Sequence, residues 1–167
     1  MKVALCGSGA GEDEEVVSLA FEIGKMIVGR GFTLLTGGGT GYPFAAVRGA
    51  LSVKGDVVCY SPASSKEDHV SSYHFPVEEG ISFVFTSEGI PGRNLTLVKN
   101  ADVVVVVGGQ VGTLNEFTLA MAMVKPLYVL NHSGGITSLL PKIVELCKKG
   151  NEKVEFFGKV EELRHLL

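Results

Sequence analysis

Three glycine-rich turns carry most of the chemistry available to this 167-residue chain. They are Gly7-Ser8-Gly9, the run from Thr36 to Gly41 with Gly37 and Gly38, and the run from Gly108 to Thr113 with Gly109 and Gly112. Each follows a short apolar run and precedes a helical pattern, so each presents close-approaching backbone amides and a helix N-terminus to an anion. A phosphate-bearing ligand is the natural occupant. Two charged residues stand near these turns, Arg93 and Glu116. Arg93 offers a fork of donors that suits a phosphate or a ribose hydroxyl. Glu116 admits two readings. It is a carboxylate three residues beyond Thr113, placed for work in a site, and Thr113-Leu114-Asn115-Glu116 is also the spacing of a capping box, in which it would only bond the N-cap amide. Spacing leaves both open.

Several familiar sites are excluded by the same residues. A dinucleotide fingerprint would need a third glycine where Glu12 stands, and an acidic residue at the end of the second strand. The Thr36 to Gly41 turn lacks the Lys-Ser or Lys-Thr pair of a mononucleotide-binding P-loop. His69 and His74 lie five apart with no carboxylate or cysteine spaced to join them, so no metal site is expected and both read as solvated loop histidines. Cys6, Cys59 and Cys147 are scattered singly, which fits reduced core residues and a cytoplasmic setting. The net charge of −3 provides no general basic surface, so neither nucleic acid nor anionic membrane is expected as a partner. No leader pattern opens the chain, and no uncharged apolar run reaches the roughly 18 to 20 residues of a membrane span.

The elements that must position these residues alternate. Strands are expected at Lys2 to Cys6, Phe32 to Leu35, Asp56 to Tyr60, Ser82 to Thr86, Val103 to Val107, Pro126 to Leu130 and, short or merely extended, Val154 to Phe157. Helices are expected at Glu12 to Arg30, Phe44 to Val53, from Arg93 onward, after Thr113, at Ile136 to Lys149 and at Val160 to Leu167. The stretch from Ser61 to His74 reads as a polar surface loop with one short helix, able to act as a lid. Five consecutive valines, Val103 to Val107, mark a strand buried on both faces. One domain, 1–167, is expected, with an α/β, Rossmann-like, doubly wound fold. Its mainly parallel sheet would lie between helices on both faces, a three-layer α/β/α arrangement. All three glycine turns then fall at the carboxyl ends of strands, where ligands bind in such sheets.

Taken together, Cys6-Gly7-Ser8-Gly9, the Thr36-Gly37-Gly38 turn with Gly41, Gly49-Ala50, Arg93, and Gly108-Gly109-x-x-Gly112-Thr113-x-x-Glu116 resemble the LOG family. That family comprises the nucleoside 5′-monophosphate phosphoribohydrolases long labelled "possible lysine decarboxylases". The short chain and the Thr-Gly-Gly turn resemble a compact branch that includes a molybdenum cofactor carrier protein. In the family's PGGxGTxxE motif, Gly108 replaces the proline and Gln110 the second glycine, while Asn94 replaces the lysine that usually follows the arginine. The resemblance implies an enzyme in which Glu116 and Arg93 are catalytic, cleaving an N-glycosidic bond to free base and ribose 5-phosphate. Such hydrolysis passes through an oxocarbenium-like state that a carboxylate stabilises while activating water. It also implies an alternative, a carrier of a phosphorylated cofactor of the molybdopterin type. Arg93 and Glu116 favour the first; Gln110 and Asn94 favour the second. Neither requires a resident cofactor, and nothing in the sequence supports pyridoxal phosphate or lysine decarboxylation. The resemblance also implies a homodimer or homotetramer, in keeping with a helix after Thr113 that is apolar nearly all round.

Overall fold

The structure, a computed structural model, describes residues 1–148 and 150–167. Seven parallel strands form one sheet: β1 (Lys2–Gly7), β2 (Thr33–Thr36), β3 (Val57–Ser61), β4 (Ile81–Phe85), β5 (Val103–Val107), β6 (Leu127–Leu130) and β7 (Val154–Phe157). Their order is β4-β3-β2-β1-β5-β6-β7. The chain winds outward from β1 in one direction, then returns to its other side, so the order reverses between β1 and β5. That is the crevice where a doubly wound sheet binds its ligand.

The valine strand explains the layering. Successive side chains of a strand point to opposite faces. Val103, Val105 and Val107 pack with α1 (Glu14–Gly29), α2 (Gly41–Leu51) and Leu163 of α7 (Val160–Leu166). Val104 and Val106 face the other core, with Leu97 and Val98 of α4 (Gly89–Asn100), Phe117, Ala120 and Met121 of α5 (Val111–Ala122), and Leu140 of α6 (Leu140–Leu146). The sheet is therefore covered on both faces, a three-layer α/β/α arrangement. By contrast β4, at the edge, alternates half-buried and exposed residues.

Helices α1 and α2 approach each other closely because each has a glycine where they meet. A Cβ on Gly24 would overlap the Ala46 carbonyl, and one on Gly49 would overlap the Phe21 carbonyl. Both obstacles are backbone, which cannot rotate away. Gly24→Ala is thus expected to lose about 1–3 kcal/mol of stability in urea denaturation, the usual cost of overpacking. Gly29→Ala at the exposed end of the same helix, where a Cβ meets nothing, should lose none.

Several boundaries differ from those the sequence suggests, each for a local reason. Helix α4 begins at Gly89, so Pro91 and Gly92 lie in its first turn and Arg93 one turn inside. Proline is tolerated there because a first-turn N–H has no intrahelical partner to lose. Likewise α2 begins at Gly41 and accommodates Pro43 in its first turn. The segment expected as one helix from Ile136 divides into a 3-10 turn, Gly135–Ser138, and the short α6, while Lys149 lies outside the described residues. Cys147, at the end of α6, is exposed rather than in the core; Cys6 and Cys59 are buried. Within the expected lid, α3 (Lys66–Ser71) is capped by Ser65, whose side chain accepts from the Asp68 amide. His69 on that helix is fully buried, contrary to its reading as a solvated residue, because Ser61 Oγ at 2.8 Å and the Pro76 carbonyl at 3.2 Å satisfy both ring nitrogens. His74 is exposed.

Candidate functional site

A cleft of about 270 Å³ opens at the carboxyl ends of β1, β2 and β5, over the point where the strand order reverses. Gly7, Ser8 and Gly9 line its centre, Gly37 and Thr40 one side, and Gln110, Gly112 and Thr113 the other. The third wall comes from α4, through Ile90, Arg93 and Asn94. Helix α5 points its N-terminus into this space. The amides of Val111, Gly112 and Thr113 have no preceding helical carbonyl to bond, which leaves them free for an anion.

The glycines divide into two kinds. Those at 41, 108 and 109 serve the chain itself and are absent from the cleft lining: all have positive φ, and a Cβ on each would strike neighbouring atoms. Ser133, on the loop after β6, braces that last turn, accepting from the Gly108 amide at 2.8 Å. Gly38, also at positive φ, packs against His69 behind the cleft. Gly9 and Gly112 differ. A Cβ on Gly112 would meet nothing within 4 Å, and one on Gly9 only an ordinary contact with Thr40 at 3.7 Å. Within the chain nothing calls for glycine at either position; what it preserves is room in the cleft for something to approach the backbone.

Glu116 and Arg93 meet in this cleft. Both are buried, at 5% and 8% exposure, and Arg93 Nη1 lies 3.7 Å from Glu116 Oε1, an ion pair without a direct hydrogen bond. Among the described residues Arg93 Nε has no partner. The guanidinium crosses above Gly37, where a Cβ would overlap it, so this glycine is fixed by the arginine rather than by any turn. The capping-box reading of Glu116 does not hold: α5 starts at Val111 with Gln110 as its N-cap, which places Glu116 a turn and a half inside the helix, facing the cleft.

Burial pushes the Glu116 carboxyl from its ordinary 4.5 up to about 7, with the Arg93 guanidinium and the Cys6 thiol pulling it partly back. Burial, and the neighbouring Glu116, raise the Cys6 thiol in turn. Asn94, 2% exposed, supplies a further contact. With its amide turned to satisfy its surroundings, Nδ2 donates to Glu116 Oε1 at 3.2 Å and to the Ile90 carbonyl at 3.1 Å. The opposite orientation would direct it to Asn115 Oδ1 at 3.0 Å and the Gly112 carbonyl at 3.4 Å; we prefer the first because it gives the buried carboxylate a donor.

The raised carboxyl ties stability to pH. The folded chain retains a proton that the unfolded chain releases near 4.5, so stability falls as pH rises from about 4.5 to about 7. At 1.4 kcal/mol per unit the cost above pH 7 is about 3 kcal/mol.

Of the residues singled out from sequence, Gly7, Ser8, Gly9, Gly37, Gly112, Thr113, Arg93 and Glu116 line the cleft; Gly38, Gly41, Gly108 and Gly109 shape its turns. Phe75, Ile90, Thr40 and Pro43 also line it, and no local sequence pattern marks them for the site. Among the described residues no group of three or more His, Cys, Asp or Glu side chains could hold a metal, and no helix is long and apolar enough to cross a membrane.

Comparison with known proteins agrees with this architecture. Residues 1–164 match the SLOG cluster4 family, and the chain belongs to it. An uncharacterized protein of Archaeoglobus fulgidus is 32% identical over 114 residues, 68% of this chain and 70% of that one. Among solved structures, the structural-genomics target TM1055 is 26% identical with a TM-score of 0.78, covering 99% of this chain and 96% of that one. The molybdenum cofactor binding protein of Rippkaea orientalis shares the fold at 24% identity and a TM-score of 0.82, covering 99% and 93% of the two chains. The molybdenum cofactor carrier protein of Chlamydomonas reinhardtii does so at 24% and 0.80, covering 99% and 94%.

Proposed function

We propose that this member of the SLOG cluster4 family binds a nucleoside 5′-monophosphate across its glycine edge and hydrolyses the N-glycosidic bond. The observation that carries the reading is Glu116: a buried carboxyl brought near neutrality, beside a guanidinium, in a cleft that ends on free helix amides. A general base works best when its proton affinity lies near the working pH. In the reaction, water attacks C1′ of the ribose, the C1′–N bond breaks with its electron pair leaving on the base, and ionised Glu116 takes the proton from water. That proton, returned through solvent, neutralises the departing base and leaves Glu116 ionised, so the products are free base and ribose 5-phosphate. Arg93, which lines the cleft, holds the phosphate or a ribose hydroxyl through its guanidinium fork. Thr113 and the amides of Val111 to Thr113 cradle the phosphate, with Gly7, Ser8 and Gly9 beneath the sugar. No resident cofactor or metal is needed for this step.

A second reading has its own support. Asn94 puts a neutral amide where the LOG pattern has a lysine, and Gln110 puts a side chain into the phosphate turn. The first removes a charge that would hold a reacting phosphate and the second restricts its approach to the backbone, and both suit a carrier of a phosphorylated cofactor of the molybdopterin type. The proteins of Rippkaea orientalis and Chlamydomonas reinhardtii, named for binding and carrying that cofactor, share the fold. We place either activity in the cytoplasm, without nucleic-acid or membrane partners. We further propose a homodimer or homotetramer that covers exposed apolar residues of the α4–α6 layer, among them Leu95, Val111 and Leu146. Mass spectrometry of ligand released from freshly denatured protein separates the two readings. Free base and ribose 5-phosphate, or an empty protein that liberates them from added AMP, support the hydrolase; an intact phosphorylated pterin with no turnover supports the carrier.

A further inference from the structure

The cleft has an end that the phosphate chemistry does not use. Phe75, half-buried, lines its margin, and its ring lies over the backbone of Gly39, 3.5 Å from where a Cβ would stand. The ring is held rather than loose. The Phe75 amide donates to the His69 carbonyl at 3.1 Å, and the buried His69 imidazole meets the Phe75 ring edge-on at a centroid distance of 5.4 Å. His69 in turn packs edge-on against Phe83 of β4 at 5.1 Å. A fully buried histidine with both nitrogens bonded thus backs a partly open phenyl ring at a cleft. Ile90 and Pro43 add apolar surface to the same lining.

From this placement we propose that Phe75 is the stacking platform for a planar heterocycle at the far end of the ligand, and so the residue that selects a ring-bearing phosphate over a bare sugar phosphate. The inference rests on the phosphate cradle at α5 assigned above. Strand order fixes the layout: the α5 N-terminus follows β5, Gly7 to Gly9 follow β1, and the Gly39 turn beneath Phe75 follows β2. Two strand spacings, about 10 Å, separate the ends. That is the scale of a phosphate, a sugar and a ring laid in line, with the middle unit over the Arg93–Glu116 pair, where the bond to be cleaved would lie. A nucleobase and a pterin both satisfy this chemistry, since stacking reads the face of a ring and not its edge.

The chain contains no tryptophan, so Phe75→Trp makes a single fluorescent reporter at the proposed platform. Binding of AMP, neopterin phosphate and ribose 5-phosphate would be measured calorimetrically on the parent and Phe75→Leu, and by emission on Phe75→Trp. Phe75→Leu is expected to weaken whichever ring-bearing ligand the parent binds by about 10-fold or more, with ribose 5-phosphate changed less than twofold. Emission of Phe75→Trp should be quenched by that ligand and not by ribose 5-phosphate. Unchanged ring-ligand affinity in Phe75→Leu, or equal losses for ring-bearing and bare phosphates, would overturn the platform while leaving the phosphate site standing. A neopterin phosphate response without an AMP response would keep the platform and overturn the nucleotide reading. A parent that binds none of the three probes would overturn both.

Discussion

Glu116→Gln is expected to slow release of base from AMP by about 10² to 10⁴-fold, the range general-base catalysis supplies, while leaving the protein folded. Glutamine has the shape of glutamate and can still meet Asn94, but it cannot take a proton from water. The substitution has a second signature that a damaged fold would not produce. The parent loses stability as pH rises from about 4.5 to about 7, because burial holds a proton on Glu116 that the unfolded chain gives up. The amide of the variant carries no such proton. Urea denaturation should show the variant matching the parent near pH 5 and exceeding it at pH 8, by up to about 3 kcal/mol. A parent whose stability stays level across this interval would mean that the carboxyl is not raised. In turnover, the acidic limb of the parent's pH–rate profile should rise through about 7, where the base ionises.

Arg93→Met should have the second largest effect, a fall of about 10²-fold or more in kcat/KM, since it removes a charge-assisted contact to the ligand in a buried site. It also removes a cation that pulls the Glu116 carboxyl down. The acidic limb should therefore move to higher pH, a shift that loss of substrate binding alone would not cause. Gly37→Ala approaches the same residue from another side. Its Cβ occupies the path of the guanidinium, which must move, and the change should reproduce the direction of both effects with Arg93 still present. If Gly37→Ala matches the parent in rate and pH profile, the observed position of Arg93 over Gly37 is not the working one.

The fold was legible because its strongest signals are local. Five valines in a row have no better use than a strand buried on both faces, and glycine turns between apolar runs and helical patterns mark strand ends in a parallel sheet. The site was legible in its outline for the same reason. Glu116 was ambiguous because Thr113 and Glu116 have the spacing of a capping box, and only the start of α5 at Val111 separates the readings. Arg93 read as opening a helix because Pro91 and Gly92 look like a turn; the first turn of a helix tolerates both. Asn94, met as a missing lysine, faces Glu116 through a contact that depends on how α4 and α5 pack, which no local pattern encodes. His69 and Phe75 were hidden for the same reason. The burial of His69 depends on partners before and after α3, Ser61 and Pro76, and on aromatic rings contributed by β4.

The most direct test of the account is to incubate the purified protein with AMP and measure free adenine and ribose 5-phosphate together, alongside Glu116→Gln. Equimolar release of the two products by the parent, about 10²-fold or more above the variant, is the predicted result. AMP that binds and remains intact, or hydrolysis at the same rate by both proteins, would contradict the assignment of Glu116 as the base of a phosphoribohydrolase.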